Sequence, residues 1–251
     1  MIDLNSDLGE GNNADQLDND KRILDVVTSA NIACGFHAGD SKTMAQTVET
    51  ATERGVIIGA HVSYNDRLGF GRRYMDVAPN ELMWDVAYQL GALDAIARTA
   101  GNRVRYVKPH GALYNQIAID EIQARSVIKG IAAYDRSLVL LTLPGSTAMR
   151  VAKEMGLSVI AEGFADRAYS SDGRLVPRQI PGAVIDEVSS VVTRAVQMAR
   201  EGTVISIDGQ TIHIGVRSIC LHSDTKGSGS LATKIREALQ DACITISPFV
   251  D

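Results

Sequence analysis

An α/β fold of about seven parallel β/α units is predicted by three features of the 251-residue sequence. Short β-type runs alternate with helix-type segments from end to end, the pattern of a parallel sheet with helical crossovers. Four of the five histidines stand in Gly- or Asp-rich corners directly after a short apolar run, in residues 32–40, 57–61, 106–111 and 219–224. Such corners form the carboxyl edge of a parallel sheet, where a rigid scaffold points its loops at one place. A hydrophobic content of 45% over this length supplies the core of one barrel, so residues 1–251 read as a single (β/α) domain.

The elements follow in order. The first strand spans 2–6 and leads to a helix over 18–29. A strand at 30–34 precedes Asp40-Ser41, which caps a helix running to about residue 54. A strand at 56–60 is followed by Pro79, pre-set for a first helical turn, and a helix over 80–100 that Gly101 ends. Strands at 104–108, 138–142 and 158–161 alternate with helices at 120–134 and 146–155. Residues 167–181, with Asp172-Gly173 and two prolines, resemble a lid more than a connector. A helix follows over 182–200. Alternation around Asp208-Gly209 predicts a hairpin at 203–214, with His213 as an ordinary strand residue on it. A last strand at 216–221 and a helix at 228–241 complete the chain. Periodicity fits a closed barrel and an open doubly wound sheet equally, and both put the histidine corners at the carboxyl edge.

Composition excludes several functions. A net charge of −5 and 5% aromatic residues give no footprint for nucleic acid or an anionic membrane. The N-terminus lacks a basic, apolar leader and no run of 18 apolar residues occurs, so a cytoplasmic protein is expected. Cys34, Cys220 and Cys243 are odd in number and have no C-x-x-C spacing, which predicts reduced thiols. Cys34, three residues before His37, reads as a small buried residue before it reads as a nucleophile. No phosphate-loop signature for ATP is present. The Gly227–Ala232 string is too close to the C-terminus for a dinucleotide fold, although a Gly/Ser loop before a helix can hold an anion.

The first corner gathers carboxylates at Asp3, Asp7 and Glu10. There a carboxylate binds a divalent metal or acts as general base, and Asp7 is the favoured residue; Asp7 and Glu10 also fit ordinary turn and cap chemistry. His37, His61, His110 and His222 lie on four loops and match no local zinc signature. Two of them with Asp7 can form a two-His, one-carboxylate metal site, with Asp7, His61 and His110 the candidates; the alternative is neutral imidazoles moving protons. Lys108, at the end of an apolar strand, is costly to bury unless it meets a carboxylate partner or an anionic ligand. Arginines 72, 73, 167, 174 and 178 suit bidentate binding of carboxylate or phosphate. The candidate catalytic set is therefore Asp7, His37, His61, Lys108 and His110. Asn5, Arg73, Tyr114, Asn115, Glu162, Arg167, Arg178, His222 and Asp224 are the candidate substrate contacts around it.

Taken together, the blocks at 3–11, 31–40, 59–73, 107–115, 162–178 and 219–225 resemble the LamB/YcsF family. The resemblance implies an irregular seven-stranded (β/α) barrel of the glycoside hydrolase/deacetylase type. It also implies a component of ATP-dependent 5-oxoprolinase, which opens the lactam of 5-oxo-L-proline to L-glutamate. ATP is then a cosubstrate of the complex, and the implied partners are allophanate-hydrolase-like and carboxylase-like subunits. Phosphorylating the lactam oxygen would create a good electrophile for a base-activated water. In that scheme Asp7 and His61 activate water or bind metal, while Lys108, His110 and Arg73 meet the substrate carboxylate or the developing phosphate charge. The chain departs from the family at Ser6, where cysteine is common, at Val62, where proline is common, and at Ser223 and Lys226, where glycine and proline are usual. Two other readings stay open: a stand-alone metal-dependent amide or carbohydrate hydrolase, and a noncatalytic subunit that binds a small carboxylate. A homo-oligomer is compatible with each.

Overall fold

A computed structural model of the chain describes residues 1–11, 13–221 and 228–250. Six parallel strands come first: β1 (Asp3–Leu8), β2 (Ser29–Ala33), β3 (Ile57–His61), β4 (Val104–Val107), β5 (Val139–Thr142) and β6 (Val159–Phe164). An antiparallel hairpin, β7 (Thr203–Ile205) and β8 (Thr211–His213), stands apart from them. The last strand, β9 (Ser218–Leu221), pairs with both β6 and β1 and closes a seven-stranded parallel barrel. Closure settles the choice that periodicity left open, and His213 lies on the hairpin as the sequence predicts.

The connecting helices are α1 (Ala14–Leu24), α2 (Ser41–Glu53), α3 (Pro79–Thr99), α4 (Gly111–Ile117), α5 (Glu121–Tyr134), α6 (Thr147–Glu154), α7 (Val188–Glu201) and α8 (Ser228–Asp241). Their starts are chemically marked: the side chains of Asn13, Asp40, Asp120, Ser146 and Glu187 each accept a backbone N–H of the first turn. The helix expected from residue 182 begins six residues later. Residues before it belong to a strap over the barrel mouth, where Ile185 N donates to Asp166 O at 2.8 Å. The first helix runs earlier than expected, because Asn13 caps it and the chain turns after Leu24 into β2.

The apolar core lies between strands and helices. Leu4 and Leu8 of β1 and Ile32 of β2 pack in one cluster with Val48 of α2 and Leu90 of α3. The alternate residues of β1 (Asp3, Asn5 and Asp7) turn inward and bond across the barrel to Ser29, Asn31, Ser218 and Lys108. The interior of the barrel thus holds a hydrogen-bonded polar column. No helix among the described residues is long and apolar enough to cross a membrane.

Candidate active site

Asp7 sits near the end of β1 and Glu10 in the turn just after it; His61 ends β3, and Lys108 follows β4 by one residue. His110 occupies the N-cap position of α4, a helix that the sequence pattern does not reveal. His37 comes from the loop after β2, and Glu162 from β6. Strands that close into a barrel bring these residues to one end although up to 155 positions separate them in sequence (Asp7 to Glu162).

Lys108 is the hub of one half of the site. Its ammonium donates to Asp7 Oδ1 at 2.9 Å, Asn5 Oδ1 at 3.2 Å and Cys220 Sγ at 3.1 Å, and forms an ion pair with Glu162 Oε1 at 2.8 Å. Burial works against the charge, but Asp7 and Glu162 outweigh it and hold the amine well above its ordinary range. Glu162 also accepts the hydroxyl of Tyr114 at 2.8 Å. Asp7 Oδ1 takes a further bond from Asn31 Nδ2 at 2.8 Å. Burial pushes the Cys220 thiol up, so it remains a thiol beside the lysine.

Three imidazoles and Glu10 form the other half. His61 Nδ1 lies 2.9 Å from Lys108 O, and His110 Nε2 lies 2.9 Å from Phe70 O. Their other nitrogens, His61 Nε2 and His110 Nδ1, face each other at 3.0 Å. His37 stacks on His110 with ring centroids 3.9 Å apart and places Nε2 3.0 Å from Glu10 Oε1. Burial and the neighbouring His61 hold His37 well below the usual histidine range and bring His110 down to about 3. Burial opposes a charge on His61 too, but Asp7 and Glu10 prevail and raise it. One ligand atom each from Glu10, His37, His61 and His110 lies within 4.8 Å of all the others, a cluster that could hold a metal ion.

The loop over this cluster is tightly built. Phe70 adopts a left-handed conformation (φ 54°), which aims its carbonyl at His110, and its ring meets His37 and His110 edge-on. Gly71 follows at φ 63°; a Cβ there would stand 2.9 Å from both His110 and His37.

A cavity of about 490 Å³ opens in front of these groups. Asp7, Glu10, His61, Lys108 and His110 line it, with Tyr114, Asn115, Arg72, Arg167, Arg174 and Arg178 around them. His37, Asn5 and Glu162 stand behind this wall and act on the lining residues. Arg73 does not line the cavity: its guanidinium is bound by Asp66, and the adjacent Arg72 faces inward instead. Arg167 lines it while donating to Val176 O at 2.7 Å and Ala183 O at 3.3 Å, which ties the strap in place. His222 and Asp224 lie outside the described residues. Glu10 and Arg72 line the cavity although the sequence reading favoured their neighbours Asp7 and Arg73; a carboxylate three positions after Asp7, still at the strand's end, is the signal for Glu10.

A family model described as "LamB/YcsF family" matches residues 2–251. A 5-oxoprolinase subunit from Streptomyces avermitilis is 54% identical over 249 residues, covering 99% of this chain and 100% of that protein. The crystal structure of a lactam utilization protein from Thermus thermophilus superposes with a TM-score of 0.94 at 38% identity, covering 99% of this chain and 100% of that one. A polysaccharide deacetylase from Bacillus cereus shares the fold alone, with a TM-score of 0.51 at 13% identity over 100% of this chain and 92% of that one.

Proposed function

The chain belongs to the LamB/YcsF family, and on that premise we propose that it is the lactam-opening component of an ATP-dependent 5-oxoprolinase, converting 5-oxo-L-proline to L-glutamate. The observation that carries this reading is one cavity lined both by carboxylate and imidazole groups and by several arginines. Its volume suits a small ring with one carboxylate.

Opening the ring requires water oxygen to bond to the lactam carbon, the carbon–nitrogen bond to break, and the departing nitrogen to gain a proton. A lactam carbonyl resists such attack; transfer of the terminal phosphoryl group of ATP to its oxygen, with ADP leaving, removes that resistance, and ring opening then gives an acyl phosphate that a second water hydrolyses to glutamate and inorganic phosphate. We assign the ATP-dependent steps to a complex with allophanate-hydrolase-like and carboxylase-like partner subunits. Asp7 takes the proton from water through Oδ2, which stands 3.3 Å from His61 Nε2. Lys108 keeps Asp7 ionised and lies beside the charge that develops on the substrate. His110 spends its N–H on Phe70 O and offers the cavity an acceptor, so it is unsuited to the anion-binding role expected of it. Arg72, Arg167 and Arg178 with Tyr114 and Asn115 receive the substrate carboxylate.

The histidine–glutamate cluster favours a second reading, metal-dependent amide hydrolysis by this chain alone. Glutamate formation is to be assayed with the chain alone and with partner subunits, with and without ATP and a chelator. Glutamate only from chain, partners and ATP together is expected, with Asp7→Asn lowering the rate at least about 100-fold. Glutamate from the chain alone without ATP would replace this reading with the second, and none from any mixture would overturn both.

A further inference from the structure

We infer that His61 Nε2, His110 Nδ1 and Glu10 Oε1 form a binding site for one divalent transition-metal ion. The argument begins on the far side of each ring. A backbone carbonyl only accepts hydrogen bonds, so the nitrogens 2.9 Å from Lys108 O and Phe70 O must carry the N–H. Neutral His61 and His110 therefore point bare lone pairs at each other across 3.0 Å. Glu10 Oε1, another acceptor, stands 3.4 Å from His110 Nδ1 and 3.7 Å from His61 Nε2. Three lone-pair donors therefore converge on one point, where a cation would be within reach of all of them.

The spacing matches a metal. Ligands about 2.1 Å from a tetrahedral ion are separated by about 3.4 Å, and the three separations fall on both sides of that value. The support behind the ligands matches as well, since a ligating imidazole usually donates its other N–H to a carbonyl or carboxylate. His61 and His110 do so. His37 does not: its Nδ1 is buried with no hydrogen-bond partner. As a ligand through Nε2 it would carry an unanswered proton on Nδ1, whereas as a donor through Nε2 it holds Glu10 in place at 3.0 Å. His37 is therefore a positioning residue for the carboxylate. Asp7 Oδ2, 3.3 Å from His61 Nε2, stands beside the site, while Oδ1 is taken by Lys108 and Asn31. The carboxylate of the set is thus Glu10, where the sequence pointed to Asp7. Two imidazoles and one carboxylate suit Zn²⁺ or Co²⁺ and not Mg²⁺, which prefers oxygen ligands and keeps its waters. Three protein ligands beside the cavity leave a coordination position open.

The inference holds whether or not the substrate is a lactam, and its test uses no turnover. Chelator-stripped full-length chain is titrated with Co²⁺ alone, Zn²⁺ alone and Mg²⁺ alone, followed by calorimetry and, for Co²⁺, by visible absorption. One equivalent of Co²⁺ or Zn²⁺ is expected, with visible Co²⁺ bands, a Zn²⁺-dependent rise in Tm and no Mg²⁺ uptake. Glu10→Gln and His110→Gln should weaken binding at least about 100-fold, and His37→Asn roughly 10- to 100-fold. His213→Gln, on the remote hairpin, should bind like the parent chain. Melting of the stripped variants separates lost ligands from lost folding. No uptake of Co²⁺ or Zn²⁺ by the parent chain overturns the inference whatever the variants do. Parental affinity in folded Glu10→Gln, or loss of binding in His213→Gln, overturns it equally.

Discussion

Lys108 shows how one residue can pair with two acids at once, Asp7 at 2.9 Å and Glu162 at 2.8 Å. Its side chain and that of Glu162 are almost wholly enclosed, and the 2.8 Å contact between them replaces the water that each has lost. Removing one partner leaves the other charge uncompensated, at a cost of about 3–5 kcal/mol. Lys108→Met should lower unfolding free energy by about that amount in urea titrations, and adding Glu162→Gln should restore part of it. Strictly additive losses in the double variant would mean that the pair does not act as a unit. The sequence made a partner for Lys108 necessary, because an amine at the end of an apolar strand must be paired. It could not separate Arg72 from Arg73. That choice is made by the left-handed turn at Phe70 and by Asp66, which binds Arg73 outside the cavity. Glu10 stood behind Asp7 because a carboxylate in a turn has an ordinary capping explanation.

Among the elements, β9 is the strand that closes the barrel, and Asp3 is the clasp at that seam. Its carboxylate accepts hydroxyls from Thr28 and Ser29 at 2.6 Å at the start of β2, and from Ser218 at the start of β9. Burial pushes its carboxyl up to about 6 from the ordinary 3.8, against the lowering effect of those hydroxyls and with a smaller upward push from Glu162. A raised acid binds its proton more tightly when folded than when unfolded. Its contribution is therefore complete below about pH 3.8 and is lost as pH rises to about 6, by about 3 kcal/mol. The difference in stability between parent and Asp3→Asn should accordingly change across pH 4–6 and be flat above it. A pH-independent difference in urea unfolding would remove Asp3 as the source. The strand order and the longer helices were legible from alternation and caps, whereas α4 was not. It has seven residues, Gly111–Ile117, directly after Pro109-His110, too few for a helical period. The polar alternation Asp3, Asn5, Asp7 was visible as a period of two, but inward carboxylates look like an exposed face until closure supplies their partners.

For the whole molecule, the polar column inside the barrel connects its amino end to the catalytic end. Phe249, near the C-terminus, packs edge-on against Tyr106 with centroids 5.0 Å apart, after Ile246 pairs beside Ile2. The Tyr106 ring lies where a Cβ on residue 59 would overlap it, so Gly59 makes room for it. Its hydroxyl donates to Asn31 Oδ1 at 2.6 Å. This fixes the Asn31 amide so that Nδ2 bonds both Asn5 Oδ1 at 2.7 Å and Asp7 Oδ1 at 2.8 Å. Without the hydroxyl the amide is free to turn and present its oxygen to the Asp7 carboxylate, where two acceptors repel. Tyr106 is therefore a positioning residue for the proposed base, acting from inside the barrel without touching the cavity. Tyr106→Phe should remain folded at a cost of about 1–3 kcal/mol. Turnover by the reconstituted complex should fall about tenfold in kcat with KM little changed, since about 1.4 kcal/mol of lost orientation would appear in the reaction step and not in substrate binding. A rise in KM at constant kcat would place the effect in the substrate pocket, and unchanged kinetics would show that Asp7 is held from the Lys108 side alone.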